Sequence, residues 1–146
     1  MYNPSSRKKK IVVSFDWHND RRYRNLLSAL SANTQSEIEF EDLTPVEIQS
    51  SDVARIKAVL SQKIGEADYL LTLVGDHANS FHPDRALIGE RNWQWWEIVK
   101  AKEKEKKLIA VKIERSCTTP QPLLSSNAKW ARSYNVPAII SAIQQA

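Results

Sequence analysis

Three short apolar runs, rich in β-branched residues, constrain the fold of this chain most strongly. They are IVVSF at residues 11–15, YLLTLV at residues 69–74 and LIAVKI at residues 108–113. Each is apolar along its length instead of alternating, which indicates a parallel strand buried on both faces. Segments with apolar residues at helical spacing lie between the runs. This alternation predicts an α/β fold.

Weaker patterns complete the alternation. Ile38 and Phe40 alternate with glutamates, which is typical of a half-exposed edge strand, and residues 129–134 and 137–144 predict a short last strand and a last helix. The full order predicts a flavodoxin-like three-layer sandwich, with a parallel five-stranded sheet in the order 2-1-3-4-5. We expect one domain over residues 1–146, with a flexible basic segment at residues 1–9.

Length and hydropathy exclude several classes of protein. A chain of 146 residues can bury a core without disulfides or a metal. No apolar run approaches the ~20 residues that a membrane-spanning helix needs. No apolar signal-peptide segment follows the basic N-terminus. We therefore expect a cytoplasmic protein with no membrane partner.

Residues that commonly bind metals or phosphates are sparse. Cys117 is the single cysteine, and His18, His77 and His82 are too dispersed for a metal pair, so we expect no metal site. With three glycines, the chain contains neither of the common phosphate-binding loops. The net charge of +4 is too small an excess to indicate nucleic-acid binding, although it favours an anionic small molecule.

The predicted strand order places the ligand crevice between the first and third strands, at their carboxyl ends. The residues that follow these two strands, 14–20 and 75–79, should line it. The candidate substrate contacts among them are Ser14, Phe15, Asp16, Gly75, Asp76, His77 and Asn79. Asn19 or Asp20 is expected to cap the helix after the first strand.

The run RNWQWWEI at residues 91–98 is the strongest candidate for chemistry. It begins a helix beyond the third strand, and Trp93 and Glu97 are four residues apart, so they share one face of that helix. A carboxylate beside an indole at such a crevice is partly desolvated, which raises its pKa and suits it to catalysis. The ordinary alternative is a packed tryptophan and a solvated glutamate.

Other functions remain open on the residues alone. Asp16 and Asp76 follow buried strands, as acidic residues do in phosphorylated receiver domains, although Asp16 has no acidic neighbour and Lys112 lies within its strand. Such residues more often cap helices and form turns. The domain could also be a module for protein interaction without any catalytic activity.

Three segments of the chain carry a family resemblance. They are IVVSFDWHNDRRYRNLL, EDLTPVEIQSSDVARIKAVLSQKIGEADYLLTLVG and NWQWWEIVKAKEKEKKLIAVKIE. Together, over residues 10–114, they resemble the TIR-like domain family that includes the ThsB proteins of the Thoeris bacterial anti-phage system. The most specific features are the spacing of Trp93 and Glu97, SFD after the first strand and LVG after the third.

The resemblance implies an enzyme that uses NAD as its substrate and holds no permanent cofactor. Such enzymes cleave the bond between nicotinamide and ribose, and some convert the ADP-ribose product into a cyclic or conjugated second messenger. In bacterial defence, a phage trigger starts the reaction and the messenger activates a separate effector protein. The family's catalytic glutamate corresponds to Glu97, and the flanking Asn92 and Gln94 depart from the serine or cysteine of many TIR enzymes.

A mechanism for such a reaction assigns roles to other residues. Ionised Glu97 would hydrogen-bond the ribose hydroxyls, and Trp93 would shape the pocket. From their positions in the chain, Phe15 and Asp16 would approach the nicotinamide end or its ribose, and Asn79 would donate an amide hydrogen bond. The loop at residues 42–50 corresponds to the loop through which TIR domains contact a neighbouring subunit. This loop carries several apolar residues, so we expect it to pack over the crevice or to form a homo-oligomer.

Overall fold

The computed structural model describes residues 9–33, 38–45 and 52–146. Its helices and strands are β1 Lys9–Ser14, α1 Trp17–Asn33, β2 Ile38–Leu43, α2 Val53–Glu66, β3 Tyr69–Val74, α3 Arg85–Ile88, α4 Trp93–Glu103, β4 Lys107–Lys112, β5 Lys129–Ala131 and α5 Val136–Gln145. Residues 1–8, which belong to the segment predicted to be flexible, lie outside the described residues. So do residues 46–50, which make up most of the predicted subunit-contact loop.

The five strands form one parallel sheet in the order β2-β1-β3-β4-β5. The predicted flavodoxin-like α/β fold and its strand order are therefore confirmed. In the register between β1 and β3, Ser14 lies opposite Thr72. These central strands bring their carboxyl ends together, and the chain leaves β1 and β3 toward helices on opposite faces of the sheet.

Alternating side chains divide the core between the two faces of the sheet. Val12, Leu70 and Ala110 pack with residues of α2 and α4, and we call this side the α2/α4 face. Val13, Leu71 and Val111 point the other way and pack with α1 and α5, on the α1/α5 face. Because both faces are covered, the buried parts of β1 and β3 are apolar on both faces, apart from Ser14 and Thr72.

Helix α1 begins differently from the sequence-based expectation. Asp16, and not Asn19 or Asp20, provides the cap: its Oδ1 accepts from the backbone N–H of His18 at 3.0 Å and of Asn19 at 3.3 Å. The amide of Asn19 donates to the other oxygen at 2.9 Å. A carboxylate at this position satisfies free N–H groups of the first turn. Asp20 is thereby left for another role.

No helix among the described residues is long and apolar enough to cross a membrane. Within the same residues, no group of three or more histidine, cysteine, aspartate or glutamate side chains is placed to hold a metal ion.

Candidate active site

A cluster of buried polar side chains lies between α4 and the carboxyl ends of the two central strands. Its members are Ser14 of β1, Thr72 of β3, and Gln94 and Glu97 of α4, all of them buried. The Ser14 hydroxyl donates to Oε1 of Glu97 at 2.6 Å. The Gln94 amide donates to the Thr72 hydroxyl and to the carbonyl of Leu73, both at 2.7 Å. These bonds fix the first turn of α4 onto both central strands.

Glu97 is the least satisfied member of this cluster. The residue is 1% exposed, and its Oε2 accepts no hydrogen bond from any of the described residues. Burial raises the pKa of the Glu97 carboxyl well above its usual range, against opposing contributions from the Ser14 hydrogen bond and the positive charge of Lys63. Burial therefore disfavours the ionised form of Glu97, and a nearby positive charge or hydrogen-bond donors would favour it.

A second buried carboxyl lies at the carboxyl end of β3, on the α1/α5 face. Asp20 of α1 is 6% exposed, and its Oδ2 accepts no hydrogen bond from the part of the chain that the structure describes. A Cβ added to Gly75 would lie only 2.4 Å from this Oδ2. The absence of a side chain at Gly75 is therefore what allows the carboxyl to approach the strand end.

Asn92 fixes the start of α4 and the loop that precedes it. Its side-chain oxygen accepts from the backbone N–H of Trp95 at 2.9 Å, which caps the helix. Its amide donates to the carbonyl of Ala78 at 3.0 Å and to that of Ser80 at 2.8 Å. The Asn92 side chain thus joins the segment after β3 to α4, the helix that carries Glu97. It helps to fix the position of the Glu97 carboxyl against the sheet.

Asn79, a predicted substrate contact, makes two hydrogen bonds within the protein. Its Oδ1 accepts from the indole N–H of Trp95 at 3.0 Å, and its amide donates to the carbonyl of Thr118 at 3.0 Å. Both ends of the amide are therefore engaged within the protein. Asn79 ties the loop after β3 to α4 and to the segment after β4.

Phe15 and Trp93 also pack within the protein. Phe15 is buried in the core of the α1/α5 face, with its ring centroid 6.1 Å from that of Trp17. Trp93 packs on the core of the α2/α4 face, edge to face with Trp96 at 5.8 Å. Each ring has an apolar partner inside its layer, and a contact of either ring with a ligand stays a prediction.

The remaining predicted residues are placed near Asp20. The negative charges of Asp16, which caps α1, and of Asp76 raise the pKa of Asp20. His77 lowers it. Asp76 and His77 are exposed, and an oxygen of Asp76 accepts from the Cys117 thiol at 3.5 Å. The structure therefore brings Ser14 to Glu97 on one face of the sheet, and Gly75, Asp76 and His77 around Asp20 on the other.

Sequence reasoning missed two of the buried polar residues. Thr72 stands inside an apolar strand, and Gln94 lies between two tryptophans, so a polar residue in an apolar run was the available signal for both. Asp20 lies within the range that is predicted to line the crevice, and the role predicted for it is to cap α1. Asp16 fills that role in the structure, so the cap does not use the Asp20 carboxyl.

A family model for the TIR-like domain of the Thoeris protein ThsB matches residues 13–118. The chain belongs to this family of TIR-like domains. The matched range contains both buried carboxyls, the capping residue Asn92, and the strands β3 and β4. It places the protein in a family associated with bacterial defence, in which enzymatic activity occurs.

Solved structures share the fold. The ThsB-family chain is similar to a 2-deoxyribosyltransferase from the psychrotolerant bacterium Bacillus psychrosaccharolyticus, with a TM-score of 0.58, 11% identity and 88% of each chain covered. It is similar to a 2-deoxyribosyltransferase from Leishmania mexicana, with a TM-score of 0.57, 13% identity and coverage of 94% of this chain and 95% of the other. A prokaryotic SEFIR domain gives a TM-score of 0.56 at 14% identity, with the same coverage. Among curated proteins, the sequence comparison finds no match.

Proposed function

We propose that this protein is a TIR-type NAD-processing enzyme, which cleaves the bond between nicotinamide and ribose with Glu97 as its catalytic residue. The observation that carries the proposal is the buried Glu97 carboxyl, which has one oxygen held by Ser14 and the other without a partner. A buried acid with an unused oxygen at a strand-end crevice is typical of a functional carboxyl. Membership of the ThsB family supports the same assignment.

In the proposed reaction, the bond between C1′ of the ribose and the nicotinamide nitrogen breaks. The electron pair leaves with nicotinamide, and positive charge develops on the ribose. Glu97, as the carboxylate, stabilises this charge, while Ser14 keeps one of its oxygens in place. A water molecule or a hydroxyl group then attacks C1′ and releases one proton, giving ADP-ribose or a cyclic or conjugated product.

The burial of Glu97 defines what substrate binding must do. A residue with 1% exposure cannot contact a ribose until the structure opens at the carboxyl end of β1. Binding of the positively charged nicotinamide end would also favour loss of the Glu97 proton, because an opposite charge lowers the pKa of a carboxyl. We infer that the resting state is inactive and that a phage trigger or assembly into a homo-oligomer stabilises the open state.

The experiment compares wild type with Glu97→Gln, which keeps the shape of the side chain and its acceptor for Ser14. Small molecules from phage-infected cells are measured by mass spectrometry, and nicotinamide release from NAD is measured with concentrated protein. The matched control is Glu103→Gln, the same substitution at an exposed position of α4. We expect an NAD-derived messenger from wild type and the control, and none from Glu97→Gln. A product that persists in Glu97→Gln would contradict the proposal.

A non-catalytic interaction module is the second candidate function. The observation in its favour is the near-complete burial of Glu97, which would then serve only to join α4 to β1 through Ser14. This candidate predicts no NAD-derived product in infected cells with any variant. It also predicts that defence persists in Glu97→Gln. The enzyme predicts instead that defence depends on Glu97, because a separate effector protein must respond to the messenger.

A further inference from the structure

Asp20 is a buried carboxyl that the proposed chemistry at Glu97 leaves unused. It lies in the first turn of α1 with 6% exposure, and its Oδ2 accepts no hydrogen bond from the described residues. Burial of a carboxyl oxygen without a donor is unfavourable. The cap of α1 is formed by Asp16, so the start of this helix does not account for Asp20.

The contact with Gly75 aims the Asp20 carboxyl at the strand-end crevice. A Cβ on Gly75 would lie 2.4 Å from Oδ2 and 2.8 Å from Oδ1, so both oxygens lie against the backbone where β3 ends. Gly75 is three residues beyond Thr72, the register partner of Ser14, which is roughly 10 Å along the strand. Asp20 and Glu97 therefore lie at the same edge of the sheet, on opposite faces and too far apart to share one sugar.

The surroundings of Asp20 leave it able to change its charge near neutral pH. Burial raises the pKa of Asp20 from 3.8 to about 6, with further increases from the negative charges of Asp16 and Asp76 and a decrease from His77. At pH 7 and above, the side chain is a carboxylate that offers acceptors only. A ligand that brings a pair of hydrogen-bond donors would satisfy both oxygens of this carboxylate.

We propose that Asp20 is a substrate-binding residue, which accepts hydrogen bonds from the ribose hydroxyls of the ADP half of the dinucleotide. This inference rests on the proposed NAD substrate, since NAD contains a second ribose beyond the one that Glu97 would contact. A ribose presents two neighbouring hydroxyls, and a carboxylate provides two oxygens to receive them. Gly75 is then a specificity-determining residue, because its lack of a side chain keeps the carboxylate at the crevice.

The test measures binding of ADP by calorimetry at pH 8, and it requires no turnover. The variants are Asp20→Ala, Gly75→Ala and the double variant, with Asp84→Ala as a control that removes an exposed carboxylate of the same type. We expect Asp20→Ala to weaken ADP binding about tenfold or more, the loss typical of a hydrogen bond to a charged group. Gly75→Ala should do the same, because its methyl group displaces the Asp20 carboxyl.

Two further comparisons make the result specific. In the double variant, Gly75→Ala should cause no additional loss, since the carboxyl that it displaces is absent. Wild type should lose affinity for 2′-deoxy-ADP or 3′-deoxy-ADP relative to ADP, and Asp20→Ala should not. Thermal unfolding identifies variants that fail to fold, and Asp20→Asn then replaces Asp20→Ala.

The possible outcomes separate this inference from the proposed function. Unchanged ADP affinity in Asp20→Ala, or no ADP binding to wild type, would overturn the role of Asp20. Binding that depends on Asp20 supports it even where no nicotinamide is released, because ADP contains neither the nicotinamide nor its ribose. Nicotinamide release that requires Glu97 but is indifferent to Asp20 would leave the proposed function standing and refute this inference.

Discussion

Replacing Asp20 by asparagine should change how the stability of the protein depends on pH. The folded state raises the pKa of Asp20 to about 6 from an ordinary value of 3.8. A raised pKa means that the folded protein binds this proton more tightly than the unfolded chain does. The stabilisation is therefore complete below about pH 3.8, falls as the pH rises toward 6, and is absent above that. Asparagine does not titrate, so the variant lacks this change.

The size of the effect follows from the difference in pKa. A shift from 3.8 to about 6 is close to 2.2 units. At about 1.4 kcal/mol per unit, the upper limit is about 3 kcal/mol, and about 2 kcal/mol is expected once the buried site relaxes around the charge. For a chain of this size, that corresponds to roughly 4–8 °C in the midpoint of thermal unfolding. If the asparagine amide has no hydrogen-bond partner, the free energy of unfolding of Asp20→Asn changes by the same amount at every pH. Its dependence on pH is then unaffected.

The assay is urea unfolding of wild type and Asp20→Asn at several pH values from 4 to 8. The free energy of unfolding of the variant, relative to wild type, should rise by about 2 kcal/mol from pH 4 to pH 7. Asp84→Asn, at an exposed position, controls for the loss of one negative charge. Parallel curves for wild type and Asp20→Asn would refute the reasoning, because they would mean that Asp20 binds its proton equally in both states.

Two further substitutions test the supports of Glu97 and of α4. Ser14→Ala removes the hydrogen bond that lowers the pKa of Glu97, so nicotinamide release should require a higher pH. The free energy of unfolding should fall by about 1–2 kcal/mol. An unchanged pH profile of nicotinamide release would show that Ser14 does not lower the pKa of this carboxyl. Asn92→Ala removes the cap of α4 and both bonds to the preceding loop, and should cost about 2 kcal/mol by thermal unfolding. Asn135→Ala removes a comparable cap from α5 and one exposed bond to Ser133, and it should cost only about 1 kcal/mol. Equal losses would mean that the two loop bonds of Asn92 add no more than this one exposed bond.

The fold could be predicted because it depends on patterns that are local in the sequence. Residues 11–15, 69–74 and 108–113 are apolar on both faces, and such strands occur where helices cover a parallel sheet. The strand order then follows from the right-handed crossovers and the position of the edge strand. The structure adds boundaries that the patterns do not define, such as a last strand of only three residues, Lys129–Ala131.

The candidate site was harder to predict because its contacts join residues distant in the sequence. The bond between Ser14 and Glu97 spans 83 positions, and only the register of the sheet and the position of α4 bring these two side chains together. Asn79 had the right residue type for a ligand contact, yet its amide is used by Trp95 and Thr118. Residue type therefore indicated which side chains could act, whereas burial and hydrogen-bond partners determine which of them remain free.

The two buried carboxyls lie on either side of one strand-end crevice, and both reduce the stability of the resting protein. Each has an oxygen without a partner among the described residues, and burial raises the pKa of each. A fold that needed only packing at these positions would be more stable with neutral side chains. A ligand can offset this cost at either carboxyl with a positive charge or with hydrogen-bond donors. A nicotinamide dinucleotide carries a positive charge at one end and ribose hydroxyls toward the other, so a single ligand of that class would satisfy both groups at once.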